Sequence, residues 1–300
     1  MTEELVKYRG FTLNKRFIET QDRFDNFPVR DEDVWICGIP RSGTRWTKEM
    51  VWMIMHDLDF DGAKEDLSER ALWTETDRTY GYFMDEPERY RDTLGLILKR
   101  YEQGPVVVKS HMPWALLPKQ IQEYKRRPKI IYVVRNPKAV MVSWRYYMKQ
   151  SFGSDYTLEE AVNAFIDGNV SYHPYWKHVF QFWERRHEPN IFILRYEDMV
   201  KETQGMIKGV AKFLEKKLTQ EQVAQLAHHL SFESMKNNKA INNQAEIRRR
   251  REKLGLPNIE GNHVRAGKID SYKEEMTAEL NEKIDAWIKE NTRDSDFNVV

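Results

Sequence analysis

The stretch Gly38-Ile39-Pro40-Arg41-Ser42-Gly43-Thr44-Arg45-Trp46, "GIPRSGTRW", decides the reading of this chain. It follows an apolar run, "DVWICGI" (33–39), and opens a helical pattern over 44–57. Gly38 and Gly43 are spaced as in the first half of G-x-x-x-x-G-K-[ST], but Thr44 stands in the lysine place and Arg45 in the hydroxyl place. Glycines let backbone N–H groups approach an anion, and a helix beginning at Thr44 aims its positive end at the same point. Ser42 and Thr44 add hydroxyl donors; Arg41 and Arg45 add charge. With the lysine and the magnesium-binding hydroxyl both displaced, the loop favours a metal-free 5′-phosphate over Mg·ATP. A tight glycine turn that merely opens a helix is the bland alternative.

Outward from this loop, short apolar runs alternate with helical patterns. "GPVVVKS" (104–110), "KIIYVVRN" (129–136) and "NIFILRY" (190–196) join 33–39 as expected buried strands. Helical patterns cover 115–126, 137–149, 157–186 with a break near Pro174, 203–216, 219–229 and 277–290. Asn136-Pro137 reads as an N-cap followed by proline at the first helical position, and Thr157/Glu160 and Thr219/Gln222 as capping boxes. The expectation is an α/β protein with a doubly wound, mainly parallel sheet flanked by helices around a P-loop-like nucleotide-binding core. No linker or repeat divides the chain, so one unit spanning 1–300 is expected. The segment 236–270 reads as irregular and strongly charged.

Composition narrows the function classes. The 300 residues are 40% hydrophobic and carry 48 Lys and Arg against 47 Asp and Glu, a formal net charge of +1. That balance argues against general nucleic-acid binding. The run "EIRRRREK" (246–253) reads as a solvated stretch over the nucleotide rather than an RNA or membrane contact. One cysteine, Cys37, sits in an apolar run and is expected to be a core thiol. There is no H-E-x-x-H, no His/Cys/Asp cluster and no G-x-S-x-G elbow, so neither a metal nor a serine hydrolase is expected. The polar start "MTEELVKYRG" has no apolar signal core, and no run approaches the ~18 apolar residues of a membrane helix. A soluble cytoplasmic protein is the expectation.

Parallel sheets place ligands beyond the carboxyl ends of their strands. Those ends carry the 38–46 loop, Lys109-Ser110-His111, Arg135-Asn136 and Arg195-Tyr196-Glu197. Cations on one rim point to an anion site. Lys109 and His111, two apart on an extended run, share a face; a histidine there takes a proton from a hydroxyl and a lysine answers developing negative charge. Arg135, with Ser143 two helical turns onward and "HVRAGK" (263–268), fits a second anion on the same ligand.

These residues resemble the cytosolic sulfotransferases, which move a sulfuryl group from 3′-phosphoadenosine 5′-phosphosulfate (PAPS) to an alcohol, phenol or amine and leave PAP. The likeness runs from about Gly10 to Lys289. "IPRSGTRW" is similar to the 5′-phosphosulfate loop Y-P-K-S-G-T-T-W, and "VVKSHMPWALLP" to the K-T-H-L-P segment of the catalytic base. "YVVRNPKAVMVSWRYY" resembles the 3′-phosphate segment. "GNVSYHPYWKHVFQFW", "RYEDM" and "RAGKIDSYKEEMTAELNE" follow the family pattern.

By this resemblance His111 is the general base, Lys109 steadies the sulfuryl oxygens, Arg41 stands where the family has a lysine that assists the leaving oxygen, and Ser143 binds the 3′-phosphate and restrains that cation. Ser42, Gly43, Thr44, Arg45 and Trp46 line the 5′ side and adenine. Arg135, Arg265, Ala266 and Gly267 surround the 3′-phosphate, while Tyr196, Ser231, Phe232 and Met235 lie near adenine. Phe17, Trp73, Tyr82, Phe83, Trp114 and Tyr147 fall near acceptor-pocket positions, for a phenol, sterol, retinoid or catechol-like hydroxyl. Lys273, Thr277, Ala278 and Glu282 resemble the family's dimer motif, which implies a homodimer. Arg41 for lysine, Arg45 for threonine, Ala266 for lysine, Leu230 for threonine and Tyr272 for tryptophan depart from the pattern. A P-loop kinase, a non-catalytic PAP-binding protein and dehydration through a transient sulfate ester stand as alternatives.

Overall fold

The computed structural model describes residues 4–75, 92–259 and 267–299. A hairpin of β1 (Leu5–Tyr8) and β2 (Phe11–Asn14) precedes the main sheet. That sheet has five parallel strands in the order β4 (Leu72–Trp73), β5 (Val107–Ser110), β3 (Val34–Cys37), β6 (Lys129–Val134) and β7 (Ile191–Arg195). The four strands expected from sequence are all present, and the two-residue edge strand β4 extends them.

The sheet is buried on both faces, which is why its strands read as unbroken apolar runs. Trp35, Cys37, Val108, Ile130 and Tyr132 pack into one core; Val34, Ile36, Val107, Ile131 and Val133 pack into another across the sheet. The longer helices are α1 (Thr44–Met55), α2 (Thr93–Arg100), α3 (Pro137–Phe152), α4 (Leu158–Ile166), α5 (Tyr175–Trp183), α6 (Thr203–Phe213), α7 (Gln220–His229), α8 (Phe232–Asn237), α9 (Gln244–Lys253) and α10 (Ala278–Thr292). Asn136 caps α3 through the Lys138 N–H at 2.9 Å, with Pro137 at its first turn and Gly153 closing it at φ +67°. Both capping boxes are formed, at Thr157/Glu160 and Thr219/Gln222.

Two expectations are corrected and a third is met. The helix read over 115–126 is only the turn Lys119–Gln122, preceded by a 3-10 turn at Trp114–Leu116, because Pro118 between them cannot continue a helix. The 157–186 pattern divides, at the break expected near Pro174, into α4 and α5, with Pro174 directly before the second. The charged run 246–253 is not a solvated stretch: it lies in α9, whose inward stripe is Ile247, Arg250 and Arg251, the two arginines being 1% and 5% exposed. Arg251 donates to the carbonyls of Lys149 and Gln150 at 3.1 and 2.9 Å, so α9 is pinned to the end of α3.

The central strand β3 sends the chain to β4 and β5 on one side and to β6 and β7 on the other. The reversal of strand order leaves a crevice at its carboxyl end, where the 38–46 loop lies.

Candidate active site

A cavity of about 620 Å³ opens at this crevice. The 38–43 loop forms its floor. Gly38 has φ +155°, and a Cβ there would meet the Val133 carbonyl oxygen at 2.6 Å. Gly43 has φ +106°, and a Cβ there would meet the Tyr196 ring at 2.6 Å. Both positions therefore need glycine. Helix α1 begins directly after Gly43 with no side-chain cap and no acid in its first turn. Its free N–H groups and positive dipole end face the cavity together with Arg41, Arg45 and Lys109. This end of the helix is built to meet an anion.

Arg41, itself at φ +75°, donates from Nε to Ser143 Oγ at 3.0 Å, and its guanidinium lies 5.3 Å from the centre of the Tyr147 ring. Arg135 donates to the Arg41 carbonyl at 3.1 Å and covers the Tyr196 ring at 4.1 Å. Tyr196 meets Trp46 edge to face at 5.8 Å. Arg45 donates to Asn243 Oδ1 at 2.5 Å. The loop's two guanidinium groups are thus oriented from two separate places, Arg41 by Ser143 and Tyr147 of α3 and Arg45 by Asn243 before α9.

The strand end at β5 carries the second set. His111 is 4% exposed and lines the cavity. Its Nδ1 is hydrogen-bonded to the Gly38 carbonyl; a carbonyl only accepts, so Nδ1 carries the proton and Nε2 keeps its lone pair. Its backbone is held at both ends. The His111 N–H donates to Glu75 Oε1 at 2.9 Å, and His178 Nε2 donates to the His111 carbonyl at 3.0 Å. His178 Nδ1 in turn accepts from the Tyr132 hydroxyl at 2.9 Å. Burial, reinforced by the Lys109 charge, drives the His111 pKa well below the ordinary value of 6.5. The ring is therefore held in its neutral form, with Nε2 unprotonated.

Lys109 lines the cavity with its ammonium 4.1 Å from the Trp73 ring centre. Burial pushes its pKa down to about 7, with Arg45 and Arg41 in the same direction and Glu75 and Glu246 opposing. Glu75, fully buried beside β4, also accepts from Ser110 Oγ at 2.6 Å and from Thr74 Oγ1 at 2.9 Å.

Most sequence-predicted residues gather here. Arg41, Gly43, Thr44, Arg45, Trp46, Lys109, His111, Arg135, Ser143, Tyr196, Phe232, Met235 and Gly267 line one cavity, as do Phe17, Trp73 and Tyr147. Ser42 and Ser231 do not line it: Ser42 is 1% exposed within the turn, and Ser231 caps α8. Trp114 is a correction. It packs against Phe182 and Tyr124 under the Arg185 guanidinium, because the 3-10 turn before Pro118 directs it into the core. Tyr82, Phe83, Arg265 and Ala266 lie outside the described residues.

Sequence reasoning missed Glu75, His178, Tyr172, Trp144 and Phe152. Glu75 follows a strand too short to show periodicity, and His178 sits on an ordinary helical face. Trp144 and Phe152 lie on α3 with Ser143 but one and nine positions onward, off its i+3/i+4 face, so helical spacing from Ser143 gave no signal for them. The far wall, with Leu5, Trp144, Met148, Phe152, Tyr156 and Val170, is apolar, and no carboxylate lines the cavity among the described residues. Among the described residues no His/Cys/Asp/Glu group is arranged to hold a metal ion, and no helix is long and apolar enough to cross a membrane.

An anion cradle at the switch point of a parallel sheet, joined to a neutral imidazole and an apolar chamber, defines a group-transfer enzyme of the nucleotide-binding α/β class. Comparison with known proteins makes this specific. The sulfotransferase domain model matches residues 31–296. The luciferin sulfotransferase of Photinus pyralis is 36% identical over 98% of this chain and 80% of its own length, and the human sulfotransferase 1E1 is 30% identical over 98% and 95%. Two crystal structures of retinol dehydratase, one with androsterone and inactive cofactor PAP and one with retinol and PAP, are similar at TM-scores of 0.82 and 0.83. Both are 28% identical, covering 98% and 99% of this chain and 91% and 92% of theirs. The chain belongs to the sulfotransferase domain family, and its class is that of the PAPS-dependent sulfotransferases.

Proposed function

We propose that this chain, as a single domain, transfers a sulfuryl group from PAPS directly to the hydroxyl of a small apolar or phenolic acceptor, with His111 as general base. The observation that carries the reading is the neutral His111 ring, tied through Nδ1 to the anion loop and lining the same cavity as Lys109 and Arg41. PAPS supplies the sulfuryl group and a phosphate leaving group. The uncapped start of α1, Gly38 and Gly43 suit its 5′ end, and Ser143, Arg135 and Gly267 suit the 3′-phosphate. Trp46, Tyr196, Phe232 and Met235 supply flat and apolar surface for adenine.

His111 Nε2 accepts the acceptor's hydroxyl proton as the new O–S bond forms and the bridging S–O bond breaks. Lys109 answers charge on the sulfuryl oxygens, and Arg41 answers charge on the departing oxygen. No covalent sulfo-enzyme is required, because the base acts on the acceptor itself. The chamber lacks a carboxylate among its described lining residues, which favours a neutral hydroxyl over a cationic amine. Trp73 and Tyr172 flank the His111 ring at 5.4 and 5.5 Å, Phe17 packs on Tyr172, and Tyr147 lines the same cavity. Cytoplasmic residence and a homodimer through 273–282 complete the reading.

The test is a panel of phenols, sterols, retinol, catechols and amines with sulfur-labelled PAPS, products being resolved as sulfate ester or dehydrated alkene. Labelled ester from the neutral hydroxyl compounds is expected. PAP binding with no transfer to any member would reduce the protein to a nucleotide-binding role.

A further inference from the structure

We infer that Arg250, on α9, is a positioning residue for the Arg41 cation and acts through Tyr147. The inference rests on the reading that Arg41 faces the donor's 5′ end. A guanidinium, unlike an ammonium, is a planar fork, and its charge is useful only when its plane is set. The protein sets that plane twice. Ser143 Oγ takes the Nε–H at 3.0 Å, and the Tyr147 ring lies beneath the guanidinium at 5.3 Å.

Tyr147 is in turn held from behind. Its hydroxyl accepts from Arg250 Nη1 at 3.2 Å. Arg250 is 1% exposed, is ion-paired with Glu246 one helical turn earlier, and covers the Phe152 ring at 5.0 Å. Phe152 meets Tyr147 edge to face at 5.8 Å. A buried arginine is expensive to desolvate, and a hydrophobic residue would fill the same volume without that penalty. Its placement here links α9 to the loop cation through one aromatic ring. Helix α9 reaches the same loop a second time at its start, where Asn243 holds Arg45. Arg251 fixes the helix to α3, so the Arg250 side chain has a rigid origin.

The chain therefore couples two features that sequence places 209 positions apart: an arginine in the fourth place of the anion loop, and an arginine inside a charged helix. A lysine at position 41 would not need the platform. Coupling distinguishes this role from simple core filling, because a residue that only supports the fold costs the same whichever cation stands at position 41.

The experiment is a double-mutant cycle on the full chain, with calorimetric PAP affinity as the primary readout and turnover of 2-naphthol as the second. Arg250→Met is expected to weaken PAP binding by about tenfold in the native background and by less than about twofold in an Arg41→Lys background. Equal losses in the two backgrounds, or no loss in either, would overturn the inference. Should Arg250→Met fail to fold by circular dichroism, Tyr147→Phe carries the same cycle, since it removes only the hydroxyl that Arg250 holds. Failure of the native chain to bind PAP would instead reject the donor-site reading, before any variant is compared.

Discussion

The Nδ1–H of His111 is bound to the carbonyl of Gly38, so the proposed base and the proposed anion loop are joined by one hydrogen bond. That bond selects the tautomer. It leaves Nε2 as the acceptor whatever enters the chamber, and it ties ring orientation to the first glycine of the loop. His111→Ala is expected to lower turnover by at least about a hundredfold while PAP affinity stays within about threefold, since the proposed role of the imidazole is on the acceptor and not on the nucleotide. Steady-state kinetics beside calorimetry checks this; turnover near the native rate would remove His111 from the mechanism.

Arg41→Lys preserves the cation proposed to answer the leaving oxygen and is expected to keep turnover within about tenfold of native, whereas Arg41→Ala is expected to lose about 10²–10³. Parallel kcat measurements on the two variants decide the matter. An inert lysine variant would mean that the guanidinium's second donor is required.

Lys109 gives a proton-linkage prediction. Its pKa of about 7 means that the neutral form gains ground as pH rises through 7, mainly because burial disfavours the charge. A polyanionic nucleotide beside it favours the charged form, so binding at pH 7.5 should take up a proton. Calorimetric titrations with PAP in buffers of different ionisation enthalpy should give different observed heats, and Lys109→Met should abolish most of the difference. Buffer-independent heats in the native chain would contradict a depressed Lys109.

The loop itself is tested by Gly43→Ala. At φ +106° any side chain is strained, and the added carbon would lie 2.6 Å from the Tyr196 ring. A cost of about 1–3 kcal/mol is expected, seen as a lower melting temperature of the free chain together with a loss of PAP affinity. Unaltered affinity would show that the turn does not face the nucleotide.

Acid stability follows from the histidines behind the site. Burial lowers His178 to a pKa of about 4 and His173 to about 3, from 6.5. Below pH 6.5 the unfolded chain binds protons that the folded chain refuses, so stability falls as pH falls, by up to about 1.4 kcal/mol per unit for each ring. Their contribution is intact above pH 6.5 and shrinks steadily down to about pH 4 for His178 and about pH 3 for His173. Thermal melts across that window should show His178→Gln with a shallower acid decline than the native chain.

The sheet and the anion loop were legible because their signals are local. An apolar run followed by two fixed glycines constrains the backbone within a dozen residues. His111 and Lys109 were legible because a strand end brings alternate residues to one rim. The wall contributed by α9 was not, since its inward stripe is made of arginines, and hydrophobic periodicity is blind to a charged residue that is buried through pairing. Trp114 misled for the converse reason: aromatic identity says nothing about whether a ring faces a chamber or a core, and a proline four residues on turned it inward. Glu75 escaped because two residues of edge strand carry no period at all.

Helix α3 supplies Ser143 to the loop cation and, on the next turns, Tyr147, Met148 and Phe152 to the apolar chamber. On the proposed function, donor grip and acceptor choice are thus written on a single rigid rod. A lineage that reshapes the chamber along this helix to admit a new compound will disturb its hold on the nucleotide in the same stroke, so variation in acceptor taste should concentrate on the hairpin and the 169–172 wall, which carry no such double duty.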